Sequence, residues 1–247
     1  MRALPLILAS ACPAALPAHA QDADDSPWDA EISLSGSRTT GNTSTTDIGA
    51  GLQVGYLGEK WEHSFRGSAE FGTEDGDTVK KLIRTSLQSS REITERLYGY
   101  GNAEYFQDNE GAYKFGYFAG GGLGYRVAMA EPVSWAVEAG PGYRIQKTRN
   151  SFGDPSGVAF EREEEIAVRA NSDFQWQIND RVEIYNLSEV IHSAADTYLW
   201  NEAGVTADLL GDMALRASFR VDHHTDVPDG RSRTDTITRF GVVYSFD

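Results

Sequence analysis

The sequence predicts an all-β fold: a transmembrane, antiparallel, up-and-down β-barrel of about 12 strands. Three observations predict it. Stretches of apolar and polar alternation recur along most of the chain with a period of two, the signature of strands and not of helices. The connectors between them alternate between tight turns and longer polar loops. The stretches are also longer than the five or six residues usual in soluble proteins, and long enough for a tilted membrane crossing. No apolar run after Ala20 approaches the length of a membrane helix, so a membrane crossing would be made by strands.

In chain order, MRALPLILASACPAALPAHA reads as a secretory signal peptide over residues 1–20. Arg2 is the positive region, Ala3 to Ala11 the short apolar run, and Ala18-His19-Ala20 the small-x-small cleavage site. Ala9-Ser10-Ala11-Cys12 resembles a lipid-attachment box only loosely, since it lacks Leu at its first position. Cys12 is the single cysteine, so cleavage after Ala20 leaves no disulfide framework. The formal charge of −15, more negative still without Arg2, excludes nucleic acid as a partner, because phosphates would be repelled. Residues 21–27, QDADDSP, form an acidic lead without periodicity, and residues 28–247 a single barrel domain.

The first strand, Ala30 to Ser37, carries Ile32, Leu34 and Gly36 on one face. The second, Ile48 to Tyr56, sets Ile48, Ala50, Leu52, Val54 and Tyr56 against Gly49, Gly51, Gln53 and Gly55. Trp61 to Phe71 is the cleanest case, with Trp61, His63, Phe65, Gly67, Ala69 and Phe71 opposite Glu62, Ser64, Arg66, Ser68 and Glu70. Further strands are expected over Val79–Glu92, Arg96–Gln107, Tyr113–Val127, Val133–Lys147 and Glu161–Gln177, then over Arg181–His192, Thr197–Leu210, Met213–Thr225 and Arg233–Phe246. Tight turns fall at Gly58-Glu59-Lys60, Thr94-Glu95, Ala130-Glu131-Pro132, Asn179-Asp180 and Gly211-Asp212. The other set is longer and more polar, at Glu74–Thr78, Asp108–Ala112, Thr148–Phe160, Ser193–Asp196 and Asp226–Ser232, except for a short first turn at Thr40–Asn42. An even strand count with loops sorted by length puts both termini at the short-turn end, as a bacterial outer-membrane barrel requires.

Turning the apolar set outward leaves Glu62, Arg66, Glu70, Arg84, Glu104, Arg126, Glu138, Arg144, Arg169, Asp173, Arg216 and Arg220 lining the lumen. Aromatics near strand ends (Trp28, Tyr56, Trp61, Tyr98, Tyr113, Trp176, Tyr198, Trp200, Tyr244, Phe246) are expected in interface belts against outer-membrane lipid. Strands five, nine and ten alternate poorly, with Tyr98, Tyr100 and Asn201 out of phase. In the last strand Phe240, Val242, Tyr244 and Phe246 turn to lipid and Arg239 to the lumen.

Other constellations are weaker. His223-His224 with Asp222, Asp226 and Asp229 offers metal ligands, yet adjacent strand residues face opposite ways, so no metal site and no cofactor is expected. Glu74-Asp75-Gly76-Asp77 and Asp108-Asn109-Glu110 lack the twelve-residue calcium-loop pattern. His192-Ser193, with Asn186 and Asn201 on neighbouring strands, would be the place to test for a hydrolase acting on lipids; no catalytic residue is assigned. Gly120-Gly121-Gly122 with Gly124 lacks the Lys-Ser/Thr of a phosphate loop and reads as relief of crowding, and Gly140-Pro141-Gly142 as a bulge or bend.

The accumulated stretches resemble the salt-induced outer membrane protein family, a domain of unknown function. Trp28-Asp29-Ala30-Glu31-Ile32-Ser33-Leu34-Ser35 followed by Thr40-Gly41-Asn42-Thr43 is similar to its start. Lys60-Trp61-Glu62-His63, Glu95-Arg96-Leu97-Tyr98, Gly122-Leu123-Gly124-Tyr125-Arg126 and Glu138-Ala139-Gly140-Pro141-Gly142-Tyr143-Arg144 match in order and spacing. Asp226-Val227-Pro228, Thr234-Asp235-Thr236 and Tyr244-Ser245-Phe246 close it. The resemblance implies an outer-membrane barrel without an established activity. One departure stands out: barrels of this kind usually end on the aromatic, the mark of the terminal strand for the barrel-assembly machinery, and here Asp247 follows Phe246. The expected function is a non-enzymatic envelope barrel, a narrow pore or a closed structural barrel, with a role in salt or acid stress implied by the resemblance. The alternatives are the lipid hydrolase and a soluble periplasmic barrel binding a small ligand.

Overall fold

A computed structural model describes residues 26–40, 45–74, 77–108, 113–149, 160–209, 211–227 and 232–246. Residues 1–20, expected to be a signal peptide, most of the first turn, the body of the 148–160 loop, Asp229 and Asp247 lie outside them. The strands are β1 (Trp28–Thr40), β2 (Thr45–Leu57), β3 (Trp61–Glu74), β4 (Asp77–Glu92), β5 (Leu97–Asp108), β6 (Tyr113–Ala130), β7 (Val133–Arg149), β8 (Phe160–Asn179), β9 (Val182–Ser193), β10 (Thr197–Asp208), β11 (Met213–His224) and β12 (Thr234–Phe246). They form one closed barrel in chain order, each antiparallel to its neighbours, and β12 returns to β1. The closing ladder runs from Ala30↔Phe246 to Thr40↔Thr236. Closure satisfies the backbone of what would otherwise be two open edges.

The expected twelve strands are all present, mostly a few residues longer than the alternation marks them. The β3–β4 connection departs from expectation: the ladder climbs through a register shift at Gly72/Thr73 to Glu74↔Asp77, so the polar stretch there belongs mainly to the hairpin and not to a long loop. At the short-turn end, Gly58 donates to the Trp61 carbonyl at 2.8 Å, and Gly211 takes φ +61°, the left-handed conformation that glycine adopts without strain. Gly140-Pro141-Gly142 brings no register shift; the β6–β7 ladder is in the same register on both sides of it. A Cβ at Gly122 or Gly140 would collide with backbone of the facing strand, so these glycines permit a close approach of β6 and β7.

The faces are inverted relative to a soluble protein. Leu34, Ile48, Ile166 and Phe240 are 65%, 71%, 78% and 66% exposed on the outside, while Glu138 and Asp173 are buried within. An apolar band around a charged interior is the arrangement for a barrel surrounded by lipid. At the short-turn end Trp28 packs on Tyr56 with ring centroids 4.8 Å apart, and His63 stacks between Tyr56 and Trp61. Trp176, Tyr244 and Phe246 continue this outward aromatic set. Four members of the expected belts do not: Tyr98, Tyr113, Tyr198 and Trp200 fall at inward register positions. Parity decides Tyr98, Tyr198 and Trp200, whereas Tyr113 is turned inward by the register shift between Tyr113 and Phe115; the interior supplies partners for their O–H and N–H groups.

The out-of-phase residue Asn201 does face outward. Ser172, Ser188 and Asn201 stand in one row across β8, β9 and β10. Asn201 Nδ2 donates to Ser188 Oγ at 2.7 Å and to Asn186 Oδ1 at 3.1 Å, and Trp135 Nε1 donates to Ser172 Oγ at 3.0 Å. Mutual bonding is what lets such groups sit within an apolar band.

Candidate functional site: the charged barrel interior

Along β8 the odd-numbered residues point inward, and Arg169 there stands opposite Gly140 of β7 and Ile191 of β9. Gly140 itself clears space for the β6 backbone, since a Cβ there would meet the Gly121 carbonyl. Arg169 is 1% exposed, with Nε donating to Glu189 Oε2 at 2.6 Å and Nη1 to Glu138 Oε2 at 3.0 Å. Glu104 lies 3.8 Å away, and the guanidinium sits 5.6 Å above the Tyr100 ring. Glu138 Oε1 accepts from Gln88 Nε2 at 2.8 Å and Tyr98 OH at 3.0 Å, and Glu189 Oε1 from Trp200 Nε1 at 3.0 Å. The cluster joins β4, β5, β7, β8, β9 and β10. Bonds between strands that are not sheet neighbours can pass only through the interior.

Smaller clusters repeat the pattern. Arg239 donates to Glu70 at 2.6 Å and Glu202 at 3.2 Å, spanning β12, β3 and β10. Arg216 holds both oxygens of Glu31 at 3.2 and 3.3 Å. Arg126 reaches Glu62 at 3.4 Å and Glu92 at 3.6 Å and lies over the Tyr98 ring. Arg220 pairs with Asp222 at 2.9 Å and stacks 4.1 Å from the Trp200 ring centroid, and Tyr198 OH donates to the same carboxylate. Arg66 Nε donates to Gln53 at 2.7 Å, Arg84 lies over the Phe106 ring, and Asp173 accepts from Gln175 at 3.2 Å. All twelve residues read from alternation therefore occupy inward register positions. Sequence reading missed Glu31, Glu189 and Glu202, which belong to strands where alternation is blurred or where the inward set was not followed to its end.

At the long-loop end, Asp196 in the β9–β10 connection gathers several elements. Its Oδ2 bonds His224 Nδ1 at 2.6 Å, its Oδ1 accepts from the Thr225 and Asp226 amides at 3.0 and 3.1 Å, and Arg144 lies 3.6 Å away. Burial alone would raise the Asp196 carboxyl; the hydrogen bond and charge of His224, the Asp226 amide and Arg144 outweigh it and hold the carboxyl down at about 2. The His224 ring stacks against Tyr198 and Tyr113, and Tyr113 OH donates to the Asp226 carbonyl at 2.9 Å. His223 turns the other way, to Thr234 at 2.8 Å, so the two histidines do not converge. His192 bonds Thr197 at 2.7 Å on the outside, whereas Ser193 accepts from Arg144 at 2.6 Å on the inside. The structure does not bring this His–Ser pair together.

The interior glycines serve the aromatics. A Cβ at Gly124 would overlap the Tyr98 ring, one at Gly142 the Phe118 ring, and one at Gly204 the Tyr185 ring. Within the glycine run Gly124 relieves crowding by a ring from the neighbouring strand, whereas Gly121 and Gly122 clear space for facing backbone, a distinction that sequence order alone does not display.

A closed twelve-stranded barrel with an apolar exterior and a charged interior defines the chain, in fold, as a β-barrel of the outer-membrane type. The sequence matches the family described as "Protein of unknown function, DUF481" over residues 32–246, and the chain belongs to that family. By fold it is similar to the NanC porin, with TM-score 0.55 and 12% identity, covering 86% of this chain and 98% of that one. It is similar also to the translocator domain of the autotransporter NalP from Neisseria meningitidis, with TM-score 0.56 and 12% identity over 91% and 90% of the two chains. At that identity the likeness is one of fold alone. No curated protein matches the sequence.

Proposed function

We propose that the chain, exported by a signal peptide cleaved after Ala20, forms a narrow, charge-lined pore in the outer membrane, with its short turns in the periplasm and its outer face in lipid. The observation that carries this reading is the chemistry of the interior: ion pairs and amides line it where a merely structural core could be apolar, and charged walls are what a narrow aqueous path requires. The cluster around Arg169 is its constriction. The role in adaptation to salt or acid stress rests on the family resemblance, and no catalytic step is assigned. Purified protein inserted in planar bilayers is expected to give discrete, small conductance steps. A complete absence of steps under several salts would leave a closed structural barrel in place of the pore.

A further inference from the structure

We infer that the interior passes or holds cations in preference to anions. The inference rests on the pore reading and names the class of solute. Two independent observations carry it. First, at inward strand positions with described side chains carboxylates outnumber arginines by more than roughly two to one. Most of the arginines are already held by carboxylates: Arg126, Arg144, Arg169, Arg216, Arg220 and Arg239 each have one within 3.4 Å, and Arg169 and Arg239 each hold two. Glu104 is the surplus member of the Arg169 cluster, 3.8 Å from the guanidinium, with a side chain 26% exposed. The level of Arg84 and Arg220 is the nearest approach to balance, and there Asp222 stands directly opposite Asp235.

Second, below Arg169 toward the short-turn end, β8 presents Asn171, Asp173 and Gln175 inward in succession. All three are at least nine-tenths buried, yet Asp173 Oδ2, Gln175 Oε1 and both amide atoms of Asn171 make no hydrogen bond to protein among the described residues. A buried carboxylate oxygen without a donor is costly unless water or a cation meets it. The row lies next to the Arg169 cluster that holds Glu104, and its chemistry, mostly oxygen acceptors, suits alkali cations with part of their hydration shell.

The test is the reversal potential of the full chain in planar bilayers under a KCl gradient, for the native protein and for Glu104→Gln, Asp173→Asn and the pair. The native barrel is expected to favour K+ over Cl− several-fold, and the double variant to lose most of that preference. Retention of a boiled-versus-unboiled mobility shift in each variant reports an intact fold. Should Asp173→Asn not assemble, the part-exposed Glu104→Gln alone carries the comparison. Steps that reverse on the anion side, or a ratio unchanged by both substitutions, overturn the inference while the pore stands. Absence of any conductance removes the pore and this inference with it.

Discussion

Arg169 shows how a cation survives with almost no contact with solvent. Its charge is met by two carboxylates at 2.6 and 3.0 Å, and each of these is steadied by a further donor from another strand. Removing one partner of such a set is costly because the others remain buried without compensation. Arg169→Ala is expected to lower stability by roughly 3–5 kcal/mol, read from unfolding in detergent or lipid vesicles. Adding Glu138→Gln should recover part of that loss, the sign of a repulsion between carboxylates left behind. Equal destabilisation by the double and single variants would show that the arginine acts by packing alone. The inward position of Arg169 was legible from period-two alternation. Its partners were not, because they come from three other strands, β5, β7 and β9, and depend on register.

At the scale of elements, β5, β6 and β7 form a unit in which one strand's aromatics occupy the space its neighbours leave open. Tyr98 of β5 lies over Gly124 of β6 and reaches Glu138 of β7. Gly124→Ala puts a methyl group into that ring, and displacing the ring also frees Glu138 of one donor. The substitution is expected to cost about 1–3 kcal/mol, the range for overpacking, with most of the cost recovered in Gly124→Ala/Tyr98→Ser. Thermal loss of the unboiled band measures both; no difference between Gly124→Ala and the native protein would sink the account. The glycine cluster was visible in the sequence, and its role as relief of crowding was inferred from it. Which rings it accommodates was hidden, because Tyr98 and Tyr100 are read as misplaced until the strand is paired and both prove to face inward. Of the bulge or bend expected at Gly140-Pro141-Gly142, the bulge is absent for a similar reason: proline and glycine mark irregular backbone locally, but here the flanking ladder keeps its register across them.

For the whole molecule, the ladder between β1 and β12 joins residues about two hundred positions apart, and no smaller unit of the barrel is closed. Stability should therefore be cooperative, with closure as the step that protects every strand. The full chain is expected to run at different apparent sizes boiled and unboiled in detergent, and deletion of Thr234–Phe246 to abolish the difference, since the β1 and β11 edges would stand open. Identical mobility of the full chain in both states would contradict a stable closed barrel.

The sequence by itself determined the class of fold, the number of strands, the end at which the short turns gather, and the inward residues on strands with clean alternation. These are consequences of a strand's period of two and of the length of backbone needed to cross a bilayer, which every local stretch displays. Tertiary structure alone decided which charges meet. Arg169 with Glu104, Glu138 and Glu189, Arg239 with Glu70 and Glu202, and Asp196 with His224 are pairings across the lumen or between connections. They depend on the stagger of closed ladders and on the glycines that clear space between side chains. A linear pattern states which way a side chain points; only the closed barrel states what it points at.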